Sequence, residues 1–148
     1  MKIGIASDHG GFELKAFLVE KLQAMGHLLE DFGAHTLDNK DDFPDYIIPL
    51  AKAVADKKLD KAIAVCGSGV GATVAANKVK GVRACLVNDH FSAHQGVEDD
   101  DMNMICLGGR TTGNSVALEL AQAFLDAKFI GGERHLRRLK KISDIENS

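Results

Sequence analysis

Short apolar runs alternate with amphipathic stretches along the chain. Lys2–Ser7 (KIGIAS) is a strand candidate that stops at Asp8-His9-Gly10-Gly11. Phe12, Ala16, Val19 and Leu22 then recur at helical spacing up to Met25, and Gly26 is a helix stop. His27–Phe32 reads as a second strand, followed by a polar loop to Asp42. Pro44–Lys57 reads as a helix with Tyr46, Leu50 and Val54 on one face; Pro49, which has no N–H to donate, shifts the expected helix start towards itself. Ala62–Cys66 is a continuous apolar strand, and a glycine loop leads from it into a helix over Ala72–Lys78. Arg83–Val87 is a fourth strand, the polar segment Asn88–Asp101 holds a short helix, and Met104–Leu107 is a fifth strand ending in Gly108-Gly109. Ser115–Ala127 is a strongly amphipathic helix, Gly131-Gly132 breaks it, and Glu133–Ile145 is a last, basic helix.

Short apolar strands alternating with helices predict βαβ units, hence an α/β fold with a five-stranded parallel sheet covered on both faces. At 148 residues with no linker, the chain is expected to be one domain, 1–148, with a basic C-terminal helix at 133–146. In such sheets ligands sit beyond the carboxyl ends of the strands. Those ends carry Ser7-Asp8-His9-Gly10, Cys66-Gly67-Ser68-Gly69, Asn88-Asp89-His90 and Gly108-Gly109-Arg110, which gathers polar and glycine residues at one sheet edge.

Composition narrows the functional classes. A net charge of −3 gives no basic excess for nucleic acid, and no apolar run approaches the ~20 residues of a membrane span. The N-terminus lacks the apolar stretch of a signal peptide, so a cytoplasmic protein is expected. Three widely spaced cysteines, Cys66, Cys85 and Cys106, argue against a disulfide framework or a zinc knuckle.

Four segments could carry chemistry. Gly67, Ser68, Gly69, Val70 and Gly71 form a strand-to-helix loop whose N–H groups can cradle a phosphate or an enediolate. The same loop also reads as an ordinary tight turn. Cys66 precedes it, where amide dipoles suit a thiolate base; the ordinary fate of a cysteine is a buried apolar one, assigned here to Cys85 and Cys106. Asp8-His9 can hold sugar hydroxyls or move protons, or can cap a helix. Arg134, His135, Arg137, Arg138, Lys140 and Lys141 give residues 133–141 a charge of +4, which leaves −7 for the rest of the chain. Arg134 and Arg138, one helical turn apart, can clamp a phosphate, although a solvated helix face reads the same way. Glu98–Asp101 is an acidic run, more often a solvated helix end than a cation site, and no metal is expected.

Taken together, IASDHGGFELK, AVCGSGVGATVAANKVKGVRA, NMICLGGRTTG and GGERHLRRLKKI resemble the ribose-5-phosphate isomerase B family, which includes the galactose-6-phosphate isomerase subunits. The resemblance spans nearly the whole chain. It implies a Rossmann-like three-layer α/β/α sandwich and a cofactor-free aldose–ketose isomerase of the pentose phosphate pathway type. The implied substrate is a small sugar phosphate, interconverted as ribose 5-phosphate and ribulose 5-phosphate through a cis-enediolate. It also implies a homodimer or dimer of dimers with sites at the subunit interface. By resemblance, Cys66 is the base. Some members use a Glu just after the glycine loop, where this chain has Ala72. Ser68 assists proton movement between the two oxygens, and the amides of Gly69–Gly71 form the anion hole. Asp8 and His9 hold sugar oxygens, Asn103 and Arg110 are further binding positions, and Arg134, His135 and Arg138 take the phosphate. Where the family has His-Asn-Asp-x-Asn, this chain has Asp99-Asp100-Asp101-Met102-Asn103. Asp99 thus stands at the ring-opening histidine and Asp100 beside it at a binding position. His90 or His94 are alternative openers. That departure admits a tetrulose 4-phosphate, which closes no furanose ring, or a hexose 6-phosphate as substrate. From a different class, a non-catalytic flavodoxin-like binding module is the competing reading.

Overall fold

The computed structural model describes residues 1–148. Five parallel strands, β1 (Ile3–Ser7), β2 (Leu29–Asp31), β3 (Lys61–Cys66), β4 (Ala84–Leu86) and β5 (Met104–Gly108), lie in the order β2-β1-β3-β5-β4. The helices are α1 (Phe12–Ala24), α2 (Pro44–Ala55), α3 (Val70–Ala76), α4 (His90–Asp100), α5 (Asn114–Asp126) and α6 (Glu133–Glu146), with a single 3₁₀ turn over His9–Gly11 before α1.

Alternation along the central strands sorts the core into two layers. Ile3, Ile5, Ile63, Val65, Ile105 and Leu107 meet Leu14, Leu18, Val97, Leu120 and Phe124 of α1, α4 and α5. The opposite face presents small residues, Ala6, Ala62, Ala64, Cys66 and Cys106, to Ile47, Leu50, Val54, Ala72 and Ala76 of α2 and α3. The result is the expected three-layer α/β/α sandwich. After β1 the chain leaves over one face and turns outward to β2; after β3 it leaves over the other face towards β4. The strand order therefore reverses between β1 and β3, and the crevice beyond their carboxyl ends is the expected ligand position of such a sheet.

Two expectations need correcting. Pro49 lies inside α2, which starts at Pro44. Proline at the first turn needs no intrahelical donor, and the buried row Ile47, Leu50, Ala51 and Val54 offsets the one hydrogen bond lost at Pro49. Cys85 is exposed rather than buried, because β4 is a three-residue edge strand.

Candidate active site

The ends of β1, β3 and β5 are held together at the crevice by backbone contacts. Gly109 N–H donates to the Cys66 carbonyl (2.8 Å) and Arg110 N–H to that of Gly67 (2.9 Å). A Cβ on Gly10 would come within 2.8 Å of the Gly67 nitrogen, so the loops after β1 and β3 touch only because Gly10 has no side chain. Between them lies a cleft of about 330 Å³, lined by Asp8, Phe43, Cys66, Gly67, Ser68, Gly71, Arg110 and Thr111.

Cys66 ends β3 and is 5% exposed, and Gly69 N–H points its positive end at Sγ from 3.2 Å. Ser68 is exposed and its Oγ accepts from Val70 N–H at 3.4 Å. Gly71 N–H and Ala72 N–H, in the first turn of α3, find no acceptor in the chain. Gly69 itself sits at φ 81°, the left-handed region, with a built Cβ 2.6 Å from Leu86 Cδ1 and 3.1 Å from the Leu107 carbonyl carbon. Gly69→Ala is therefore expected to cost about 1–3 kcal/mol of stability and to pull the amide off Sγ. Urea unfolding beside a rate assay checks both.

Asp8 is buried and caps the 3₁₀ turn, its Oδ1 accepting from Gly10 N–H (2.9 Å) and Gly11 N–H (3.3 Å). Asp8 is thus a cap that also lines the cleft. His9 follows, and its ring Nδ1 lies 2.6 Å from Asp41 Oδ1, which also accepts the His9 backbone N–H at 3.1 Å. That hydrogen bond raises the His9 pKa above the ordinary histidine value; burial opposes it, the charges of Asp8 and Asp41 reinforce it, and Arg110 works against it. Ligand-type atoms of Asp8, His9 and Asp41 lie within 4.8 Å of one another, the one such group in the chain with metal-ligand chemistry.

The remaining candidates lie elsewhere. Asp99, Asp100 and Asn103 precede β5, at the amino ends of the strands. That edge is marked by Lys61 at the start of β3. Its Nζ donates to the carbonyls of Phe124 (2.6 Å), Leu125 (3.3 Å) and Ala127 (2.8 Å) at the end of α5, and burial lowers its pKa to about 8. α6 runs along the same edge, with His135 Nε2 4.0 Å from Asp99 Oδ1 and Glu146 accepting Gly81 N–H at 3.1 Å. Cys66 and Arg110 thus sit a full strand, about 17 Å, from Asp99 and Arg134. A five-carbon chain at ~1.3 Å per bond does not bridge that span within one molecule.

Two candidates at this edge are corrected. His135 is 4% exposed, its ring packs edge-on against Phe129, and its Nδ1 is buried without a partner; it is not placed to take a phosphate. Asn103 is buried, with Oδ1 accepting Arg83 N–H (2.8 Å) and Nδ2 donating to Gly81 O (2.9 Å), which makes it a staple of the loop before β4. Arg134 and Arg138 are exposed, as a phosphate clamp requires. Within the acidic run Glu98 pairs with His94, Asp99 with Gln95 and Asp101 with Arg83. Phe43 and Thr111 line the cleft and Asp41 stands behind His9, outside the lining; none of the three is read from the sequence. Asp41 and Phe43 come from the loop before α2, which no local periodicity marks, whereas Thr111 directly follows Arg110. Phe43 packs over Gly71, where a Cβ would meet its ring at 2.7 Å.

Residues 3–142 match the family model described as Ribose/Galactose Isomerase. The chain is similar to the ribose-5-phosphate isomerase B of Escherichia coli (strain K12), 37% identical over 98% of this chain and 96% of that protein. It is also similar to a D-erythrulose-4-phosphate isomerase of Pectobacterium atrosepticum, 34% identical over 89% of this chain and 87% of the relative. Among solved structures, a ribose-5-phosphate isomerase B from Mycoplasma genitalium with bound ribulose-5-phosphate superposes with a TM-score of 0.93 at 39% identity, over 99% of this chain and 97% of that one.

Proposed function

The chain belongs to the ribose/galactose isomerase family of sugar-phosphate isomerases, and we propose that it interconverts ribose 5-phosphate and ribulose 5-phosphate with Cys66 as the proton-transfer base. The observation that carries this is the Cys66 thiol at the end of β3, held by the Gly69 amide on the floor of a cleft walled by Asp8, Ser68 and Arg110.

In the aldose-to-ketose direction Cys66 Sγ removes the C2 proton. The C2–H electrons form the C1=C2 bond, and the C1 carbonyl electrons move to O1. The enediolate charge falls on the loop amides, where Gly71 N–H is open. Ser68 Oγ passes the O2 proton towards O1, and Cys66 returns its proton to C1, so nothing is gained or lost. Arg110 adds a fixed positive charge at the cleft wall.

The phosphate end needs the other edge. A two-fold dimer that sets the amino edge of each protomer against the carboxyl edge of its partner would bring Arg134 and Arg138 to the partner's Cys66 cleft, twice over. We assign a homodimer on that ground, and a cytoplasmic enzyme of pentose phosphate metabolism on the kinship with ribose-5-phosphate isomerase B. A second reading, a tetrulose 4-phosphate substrate, is favoured by Asp99 at the position of the family's ring-opening histidine.

A coupled assay over four-, five- and six-carbon aldose phosphates tests the assignment. The highest kcat/KM is expected with ribose 5-phosphate, with inorganic phosphate competing. A maximum on the four-carbon substrate transfers the protein to the second reading. Equal activity on unphosphorylated sugars would remove the phosphate clamp.

A further inference from the structure

We propose that Asp41 is a positioning residue for His9, and that the pair carries the furanose ring-opening proton transfer in this enzyme. The inference rests on the isomerase reading above. It starts from an imbalance: ring opening needs a proton donor, yet the histidine position of the family holds Asp99, whose Oδ2 accepts from Gln95 Nε2 at 2.7 Å. That oxygen is engaged as an acceptor, and an imidazole N–H is the donor the position has lost.

His9 is built for that work. Asp41 grips the residue twice through one oxygen, at the backbone N–H (3.1 Å) and at Nδ1 (2.6 Å). The Asp41 side chain is 5% exposed, and its other oxygen, Oδ2, is buried with no hydrogen-bond partner. The one partner of the carboxylate is therefore His9, whose charged form it favours. With Nδ1 committed, Nε2 is the ring nitrogen left for substrate, and the His9 side chain is 27% exposed next to the cleft residue Asp8. The charged groups facing the ring are Asp8 from the end of β1, Asp41 from the loop before α2, and Arg110 from beyond β5. A buried carboxylate behind a histidine fixes both its orientation and its charged form, as in other acid–base dyads.

The step balances. His9 imidazolium gives its Nε2 proton to the ring oxygen O4 as the C1–O4 bond breaks, and that electron pair goes to O4. The anomeric O1–H proton passes to the Asp8 carboxylate, and the O1 electrons form the C1 carbonyl. Asp8 then returns the proton to His9, which resets the pair. Asp41 carries no proton at any stage.

Tetrose 4-phosphates give a clean test, because their O4 is phosphorylated and no furanose forms. Asp41→Asn is expected to lower kcat/KM for ribose 5-phosphate about 10²-fold and to leave that for erythrose 4-phosphate within about threefold. Comparing the two substrates on one preparation cancels any loss of folded protein. Since Asp41 raises the His9 pKa, the alkaline limb of the ribose 5-phosphate profile should move to lower pH in the variant. Equal losses on both substrates overturn the proposal, and so does an unmoved limb, which decides alone if the wild type turns over ribose 5-phosphate only. A wild type inactive on every phosphorylated aldose overturns the isomerase assignment instead.

Discussion

Cys66→Ala is expected to lower kcat about 10³-fold and leave KM close to wild type. The thiol acts on a carbon-bound proton only in the transition state, so its removal subtracts stabilisation there and not in the bound ground state. The folded protein should tolerate the change, since Cys66 packs among small neighbours such as Ala6, Ala64 and Ala72 and the lost volume is one sulfur. Cys106 is the internal control. It faces the same α2/α3 layer from the adjacent strand, but full burial pushes its thiol up to about 12. Cys106→Ala should keep kcat within about twofold while costing on the order of 1 kcal/mol in the core. Cys85, exposed on the edge strand, should tolerate alanine with neither effect. Near-normal turnover by Cys66→Ala would move the base to another cleft residue, with Asp8 the first to examine.

The parts of this fold legible in the sequence are those where one physical constraint acts alone. β1, β3 and β5 are buried on both faces, so they read as unbroken apolar runs. β2 and β4 are edge strands whose ends are free to fray. His27–Phe32 and Arg83–Val87 shrink to Leu29–Asp31 and Ala84–Leu86, and Cys85 is exposed. Short edges leave few unpaired backbone groups, a protection no hydropathy pattern encodes. Strand order was not legible either: β5 inserts between β3 and β4, which only tertiary packing decides. At the site, Cys66, Ser68 and the glycines were readable because they share one loop. Asp41 was not, because it meets His9 across 32 residues. His135 misled for the opposite reason. It sits among arginines in sequence, but the helical turn sends it inward against Phe129 while Arg134 and Arg138 stay outside.

Mixing two inactive variants is expected to restore activity. Cys66→Ala removes the base at the carboxyl edge of the sheet, and a double Arg134→Ala, Arg138→Ala variant removes the clamp at the amino edge. Each homodimer then has two defective sites. In a heterodimer built on a two-fold axis, one site combines the alanine at 66 with the missing arginines, and the other is wild type throughout. Random mixing makes half the dimers hetero, each with one intact site of two, so recovery should approach about a quarter of wild-type turnover. Coexpression with two affinity tags isolates the heterodimer, and the doubly tagged species should itself reach about half of wild-type turnover in a rate assay. The geometry forces the alternative apart cleanly. If both halves served one substrate within a single chain, they would have to span the strand length of about 17 Å, and no heterodimer would gain a complete site. Activity of the mixture no higher than that of its parents would therefore separate Arg134 and Arg138 from the Cys66 cleft. The phosphate would then have to rest on Arg110, the one arginine that lines the cleft within the same chain.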